Sequence, residues 1–407
     1  MSKILRINGI LLTSYLLSIG GHCRGGISPN SAPELVITTE QQRRYEQQRA
    51  DAKRLGYAII EKEEDLPNNS SRNWYICNNV SLDSLCSHSS HWGIKRTLER
   101  VIIEEERDSL PGWAFADCSN LKEVVLPDSI TSIKCSTFSG CKSLVMAALP
   151  SSVTSIEAYA FEGCTSLALE TLPDNLTSIR NHAFKGCTSL ALKELPTKLA
   201  SIGYSAFEGC TSLALTILPD SLTSIEKNAF EGCTSLALRK LPAGLTSIEW
   251  GTFMGCTSLA LTELPPRLTY IDCHAFSDCT RLDLFTLPDG VVTVGESAFC
   301  GCTGLKEIHI PSSVKNIGAQ AFGKTRLRLL DLSACSGVSF RDWVTVVPPN
   351  KIVGTLDSLF IANELYILSD IPEVRRDCIP FFCKVHLPDG LGVWKFYNHY
   401  AGWYPLQ

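Results

Sequence analysis

The sequence predicts a repeat solenoid, a stack of short coils carrying small parallel strands and closed by terminal caps, and three observations carry that prediction. First, AFEGCTSLALTILPDSLTSIEKN, Ala206 to Asn228, is followed directly by AFEGCTSLALRKLPAGLTSIEWG, Ala229 to Gly251, a copy displaced by 23 residues. Second, one register is marked by Phe115, Phe138, Phe161, Phe184, Phe207, Phe230, Phe253, Phe276, Phe299 and Phe322. Trp92 extends it upstream, so (322 − 92)/23 gives ten intervals without an insertion. Third, the apolar positions of one copy are too sparse to close a core, so each unit must stack on its neighbours to bury them.

Within each unit the elements follow in a fixed order. A leucine stands at the slot of Leu121, Leu144 and Leu167, then Leu-Pro at the slot of Leu126 and Pro127, then an aliphatic pair such as Leu176 and Ile179. The proline cannot donate to a ladder and is expected to end a short strand. The following DSLTSI then turns the chain, and Ala-Phe-x-Gly-Cys begins the return. Ten coils at a strand spacing of ~4.8 Å make a rod on the order of 50 Å long.

Nine of the eighteen cysteines share one repeat position: Cys118, Cys141, Cys164, Cys187, Cys210, Cys233, Cys256, Cys279 and Cys302. A residue recurring so regularly fills one core slot per unit as a small apolar side chain. Disulfides between stacked neighbours are open on distance, but regular pairing leaves one of the nine over.

The run LPDSLTSIEKNAFEGCTSL, Leu218 to Leu236, resembles the BspA-type leucine-rich repeat, a 23-residue form named after a bacterial surface adhesin. The resemblance covers roughly Trp92 to Leu332. It implies a right-handed leucine-rich-repeat solenoid with short parallel strands and, by association, cell-surface binding; the fold alone does not name a ligand.

The chain departs from that pattern at its centre. End units read L-x-x-V-x-L, as in Leu121, Val124 and Leu126, or Leu327, Leu330 and Leu332. Five central units instead place Glu170, Lys193, Thr216, Arg239 and Thr262 where an inward apolar residue is expected. In one arrangement a bulge turns Leu169, Leu192, Leu215, Leu238 and Leu261 inward and leaves the polar column in solvent. In the other those leucines form an exposed apolar stripe. The cost of burying a column of charge favours the first, and makes Glu170, Lys193, Thr216, Arg239 and Thr262 the candidate binding residues on the strand face.

The ends read differently. Residues 1–20, with Lys3 and Arg6 before the apolar run Ile10 to Ile19, have a signal-peptide pattern; the run is too short for a spanning helix. Anchoring through Cys23 resembles a bacterial lipobox except that His22 stands where a small residue is wanted. Residues 21–38 form a Gly-, Ser- and Pro-rich linker, and 39–91 a helix and N-terminal cap, with Thr39 able to cap the helix and Gly56 to stop it. Cys77, Cys86, His88 and His91 are zinc-type ligands without a recognised spacing; a Cys77 to Cys86 disulfide in an exported cap is the stronger expectation. Coils occupy 92–332. Residues 333–407 make a C-terminal cap, its Trp394, Phe396, Tyr397, Tyr400, Trp403 and Tyr404 expected over the last coil, with a Cys378 to Cys383 disulfide open.

No nucleophile elbow, P-loop, zinc-protease or dinucleotide motif occurs, and Glu104 to Arg107, EEER, reads as a solvated acidic edge. Thirty-seven basic against 42 acidic residues, net −5, provide no footprint for nucleic acid. No later run is apolar enough to cross a bilayer. The expectation is a non-enzymatic exported protein without a cofactor, at the cell surface or secreted, binding protein or glycan through the strand face. An intracellular scaffold, or an effector with activity in its terminal regions, remains the alternative.

Overall fold

In the computed structural model the described residues are 39–61, 71–77, 96–104 and 107–327, together with Asp65, Ala334 and short strands within 4–13 and 329–405. Met1–Gln47 and Gln48–Gln407 are two compact units. In the first, the stretch read as a signal peptide carries an antiparallel hairpin, Ile4–Ile7 with Ile10–Thr13. The helix spans Thr39–Arg54, and Gly56 follows at φ 82°, the left-handed conformation that lets the chain leave a helix.

The second unit is the solenoid. Its first sheet is parallel and in chain order: Ala58–Ile60, Asn73–Ile76, Arg100–Ile103 and Glu123–Val125. The ladder therefore begins upstream of the first strict repeat, and Ile60, Trp74, Ile76, Val101 and Ile103 supply the core there. At the other end parallel pairing runs past Leu332 to Ser339–Phe340 and Lys351–Val353. Beyond it Val393–Tyr397 and Gly402–Pro405 pair antiparallel, with Phe396 opposite Trp403. The rings expected over the last coil, and Cys378 with Cys383, lie outside the residues whose side chains are described.

The central coils correct the expected strand placement. Their strands lie after the Leu-Pro, not before it: Ser132–Ile133, Ser155–Ile156, Ser178–Ile179, Ser201–Ile202 and Ser224–Ile225 form one parallel sheet. A second parallel sheet runs from Ser247–Ile248 through Tyr270–Ile271, Thr293–Val294 and Asn316–Ile317 to Ser339–Phe340. Strands before the Leu-Pro or its equivalent survive only towards the ends, as at Glu123–Val125, Glu307–His309 and Leu329–Asp331. The cause is the order Leu-x-Leu-x-x-Leu. Leu167, Leu169 and Leu172 all point inward, and a chain that buries residues two and then three apart cannot keep the alternation of a strand. What remains is single bonds such as Lys193 N to Glu170 O at 3.4 Å and Ala237 N to Leu215 O at 3.0 Å.

Side-chain columns also join the coils. The ten phenylalanines Phe115 to Phe322 are fully buried and stack ring on ring, centroids 5.4–5.8 Å apart and planes within 2–13°. The centroid distance exceeds the ~4.8 Å strand spacing, which marks an offset stack, the favoured geometry. Beside them the repeat cysteines from Cys141 to Cys302 are free, buried thiols, as read from the sequence. They do more than fill space: each from Cys141 to Cys302 donates Sγ–H to the phenylalanine carbonyl of the preceding coil at 3.0–3.1 Å. Burial pushes these thiols up, Cys164 to about 12. Immediately before each cysteine the chain is left-handed, with φ 69–74° at Gly140, Gly163, Gly186, Gly209, Gly232, Gly255 and Gly301. A Cβ at Gly163 would have room, 3.9 Å from Gly140 Cα, so it is the dihedral angle that selects glycine there.

The segment before the strict repeats corrects two expectations. Glu104 is not part of a solvated edge: it is 2% exposed and takes a bidentate pair from Arg49 on the helix, Nε at 2.8 Å and Nη2 at 2.9 Å. The Tyr75 hydroxyl adds a donor at 3.3 Å. Burial first, and then the Glu104 charge, raise the Tyr75 phenol far above its usual range. Cys77, at the end of its strand, is a free thiol with no exposed surface, so it is not in the expected disulfide with Cys86. It turns into the core, and burial pushes it up to about 12. Cys86, His88 and His91 lie outside the described residues.

Candidate binding surface

The strand face is built on the inward leucines. Leu169, Leu192, Leu215, Leu238 and Leu261 are at most 1% exposed, while Glu170, Lys193, Thr216, Arg239 and Thr262 are all exposed. The polar column thus stands in solvent, by loss of the strand where a bulge within it had been expected. Within the column Lys193 Nζ lies 3.2 Å from Glu170 Oε2, an exposed pair worth at most about 1 kcal/mol. Side by side, Ala168, Ala191 and Ala214 leave a low exposed floor, and Ile217, 64% exposed, stands in the next column out. One coil past Thr262 the same column holds Phe285, 58% exposed, whose ring meets His309 at 4.4 Å. His309 Nδ1 in turn lies 2.6 Å from Asp331.

A second exposed surface was not read from the sequence. It follows the turn after each Ser-Ile strand, where Tyr159, Tyr204 and Trp250 are 37–38% exposed. The ring of His182 stacks on Tyr159, centroids 4.6 Å apart and planes at 12°, and meets Tyr204 edge-on at 4.8 Å. The His274 ring lies 5.7 Å from Trp250. Burial lowers the His182 pKa, and the neighbouring Lys185 charge adds to the effect. On the adjoining column Lys185 pairs with Glu208 at 2.9 Å, and burial followed by the Glu208 charge raises Glu231.

Among the described residues no three His, Cys, Asp or Glu side chains are grouped to hold a metal ion, and no helix is long and apolar enough to cross a membrane. Both exposed surfaces are ridged and extended. Such an arrangement presents side chains for recognition over several coils.

Several solved structures are similar. One is a leucine rich repeat protein of T. pallidum, 32% identical over 51% of this chain and 77% of that one, TM-score 0.35. Another is a leucine-rich repeat protein from Bacteroides ovatus, 25% identical over 62% and 86%, TM-score 0.34. A third is a leucine rich cell surface protein from Faecalibacterium prausnitzii, 25% identical over 62% and 83%, TM-score 0.36. No curated protein matches the chain. The BspA type leucine rich repeat region matches in six copies, over residues 94–214, 170–283 and 239–339. With a continuous match from 94 to 339, more than half of its length, the chain belongs to the BspA-type leucine-rich-repeat family.

Proposed function

We propose that this chain is an exported, non-enzymatic binding protein that engages a protein or glycan ligand at the cell surface through the strand face. The observation that carries the proposal is the contrast between the two sides of one short segment. Its leucines are buried to the same depth in five successive coils, while the residues next to them, Glu170, Lys193, Thr216, Arg239 and Thr262, differ in every coil but one. A fixed scaffold bearing varied, exposed side chains is how solenoids build an extended recognition surface. The family, named after a surface adhesin, and the signal-like pattern of residues 1–20 support the export half.

Two experiments test it. Charge reversal at Lys193→Glu with Arg239→Glu should weaken capture of surface ligands by at least about tenfold, the size expected when two cations of one site are reversed together, with an unchanged circular dichroism spectrum. Unchanged capture removes the strand face as the site. Protease shaving of intact producing cells should release coil peptides; protein found only after lysis, with Met1 retained, overturns export.

A further inference from the structure

We propose that the turn edge from Tyr204 to Asp272 is a docking site for an arginine-bearing peptide segment of a protein partner. The proposal rests on the reading of the chain as a binding solenoid, and it places a second contact away from the strand face. Three observations converge on it.

The first is aromatic. Tyr204 and Trp250 stand two coils apart, each more than a third exposed. The second is charge. The turn segments 201–209, 224–232, 247–255 and 270–278 hold six carboxylates against one ammonium, Lys227. Three of the carboxylates occupy one column of successive coils, Glu226, Glu249 and Asp272, each 23 residues after the last. The fold holds one oxygen of each. Glu226 Oε2 accepts the Tyr204 amide at 3.0 Å, Glu249 Oε1 the Ser247 hydroxyl at 2.7 Å, and Asp272 Oδ1 the Cys273 amide at 2.7 Å. None of the three has a basic side chain within ion-pair distance among the described residues.

The third observation is a buried acceptor. Asn228, between Tyr204 and Trp250 along the edge, is 7% exposed, and its Oδ1 has no hydrogen-bond partner among the described residues. It is aimed at Gly251, where any Cβ would collide with it. Neighbouring coils fill that column with His182, Ser205 and His274; Gly251, itself buried, leaves the place beside Trp250 to the Asn228 Oδ1.

The edge thus offers carboxylate oxygens, anchored in direction, beside two exposed aromatic side chains, with one unpaired amide oxygen buried between them. An uncompensated buried acceptor is costly unless a donor reaches it. The complementary group carries several N–H donors, no acceptor, a positive charge and a flat face. Guanidinium meets all four requirements: it forks onto carboxylates and stacks on rings, whereas an ammonium is a point charge. A neutral sugar would leave the carboxylate column without its counter-charge.

The test uses the full chain and fluorescein-labelled nonaarginine and nonalysine peptides, read by fluorescence anisotropy at physiological ionic strength. Nonaarginine should bind about tenfold more tightly than nonalysine, the increment expected from stacking and bidentate pairing. Trp250→Ala, and separately Glu226→Gln with Glu249→Gln, should each weaken nonaarginine about tenfold with an unchanged circular dichroism spectrum. Lys193→Glu with Arg239→Glu should not weaken it. Equal affinity for the two peptides, or indifference to both sets of edge variants, overturns the proposal and assigns the binding to diffuse net charge. Binding of cellohexaose that is lost in Trp250→Ala, without preference for nonaarginine, overturns it in favour of a glycan. Either failure leaves the strand-face reading standing, because that reading is decided by ligand capture in the Lys193 and Arg239 variant.

Discussion

Truncating one ring in the middle of the phenylalanine column, Phe207→Ala, measures how far that column holds the coils together. Phe207 is fully buried, and the rings of Phe184 and Phe230 lie 5.5 Å away on either side at 4° and 7°. Removing a buried phenylalanine costs about 3–5 kcal/mol through lost transfer energy and the cavity left behind. Losing two ring pairs at about 0.5–1.5 kcal/mol each places this site in the upper part of that range. Phe322, equally buried, stacks only on Phe299 among the described residues, so Phe322→Ala should cost less by about one ring pair. Urea titration followed by far-ultraviolet circular dichroism gives both values, provided that the slope is unchanged. A Phe207→Ala cost below about 1.5 kcal/mol, or a larger cost at Phe322, refutes the reasoning.

Three further outcomes are expected. Leu215→Ala should lose about 2–5 kcal/mol, whereas Thr216→Ala, one residue on, should stay within about 0.5 kcal/mol; similar losses would mean that the face is inverted. Arg49→Met should destabilise the chain by about 3–5 kcal/mol by stranding the Glu104 charge, and Glu104→Leu added to it should restore most of the loss, both read by denaturant midpoint. In a timed Ellman's assay the partly exposed Cys135, Cys273 and Cys300 should react before the buried repeat cysteines. The column from Cys141 to Cys302 should respond only on unfolding, since burial both covers these thiols and holds them protonated; rapid reaction of the column in the native state would contradict this.

The period, the phenylalanine and cysteine columns and the inward turn of Leu169 to Leu261 were legible in the sequence. Each is a repeated choice between water and core, and the residue type alone states it. Strand position was not, because it depends on which of two neighbouring segments keeps its alternation once Leu-x-Leu-x-x-Leu has bent one of them. The burial of Glu104 depends on Arg49, 55 residues earlier in the chain, a pairing that no local pattern announces. The turn edge escaped notice for another reason. Tyr159 and His182 occupy one column, Tyr204 and Trp250 the column before it, so neither column reads as aromatic, although folding brings the His182 and Tyr204 rings together.

The register also has a genetic consequence. Ring, thiol and threonine contacts reach only from one coil to the next, as from Thr211 to the Thr188 carbonyl. A recombination event that duplicates or deletes a whole number of 23-codon blocks between Phe161 and Phe253 would therefore re-form the ring, thiol and threonine contacts in the same register. A single-codon insertion would break all three columns at once. Such a gene can lengthen, shorten and reshuffle its exposed residues by unequal crossing-over, while point insertions in the same tract are purged.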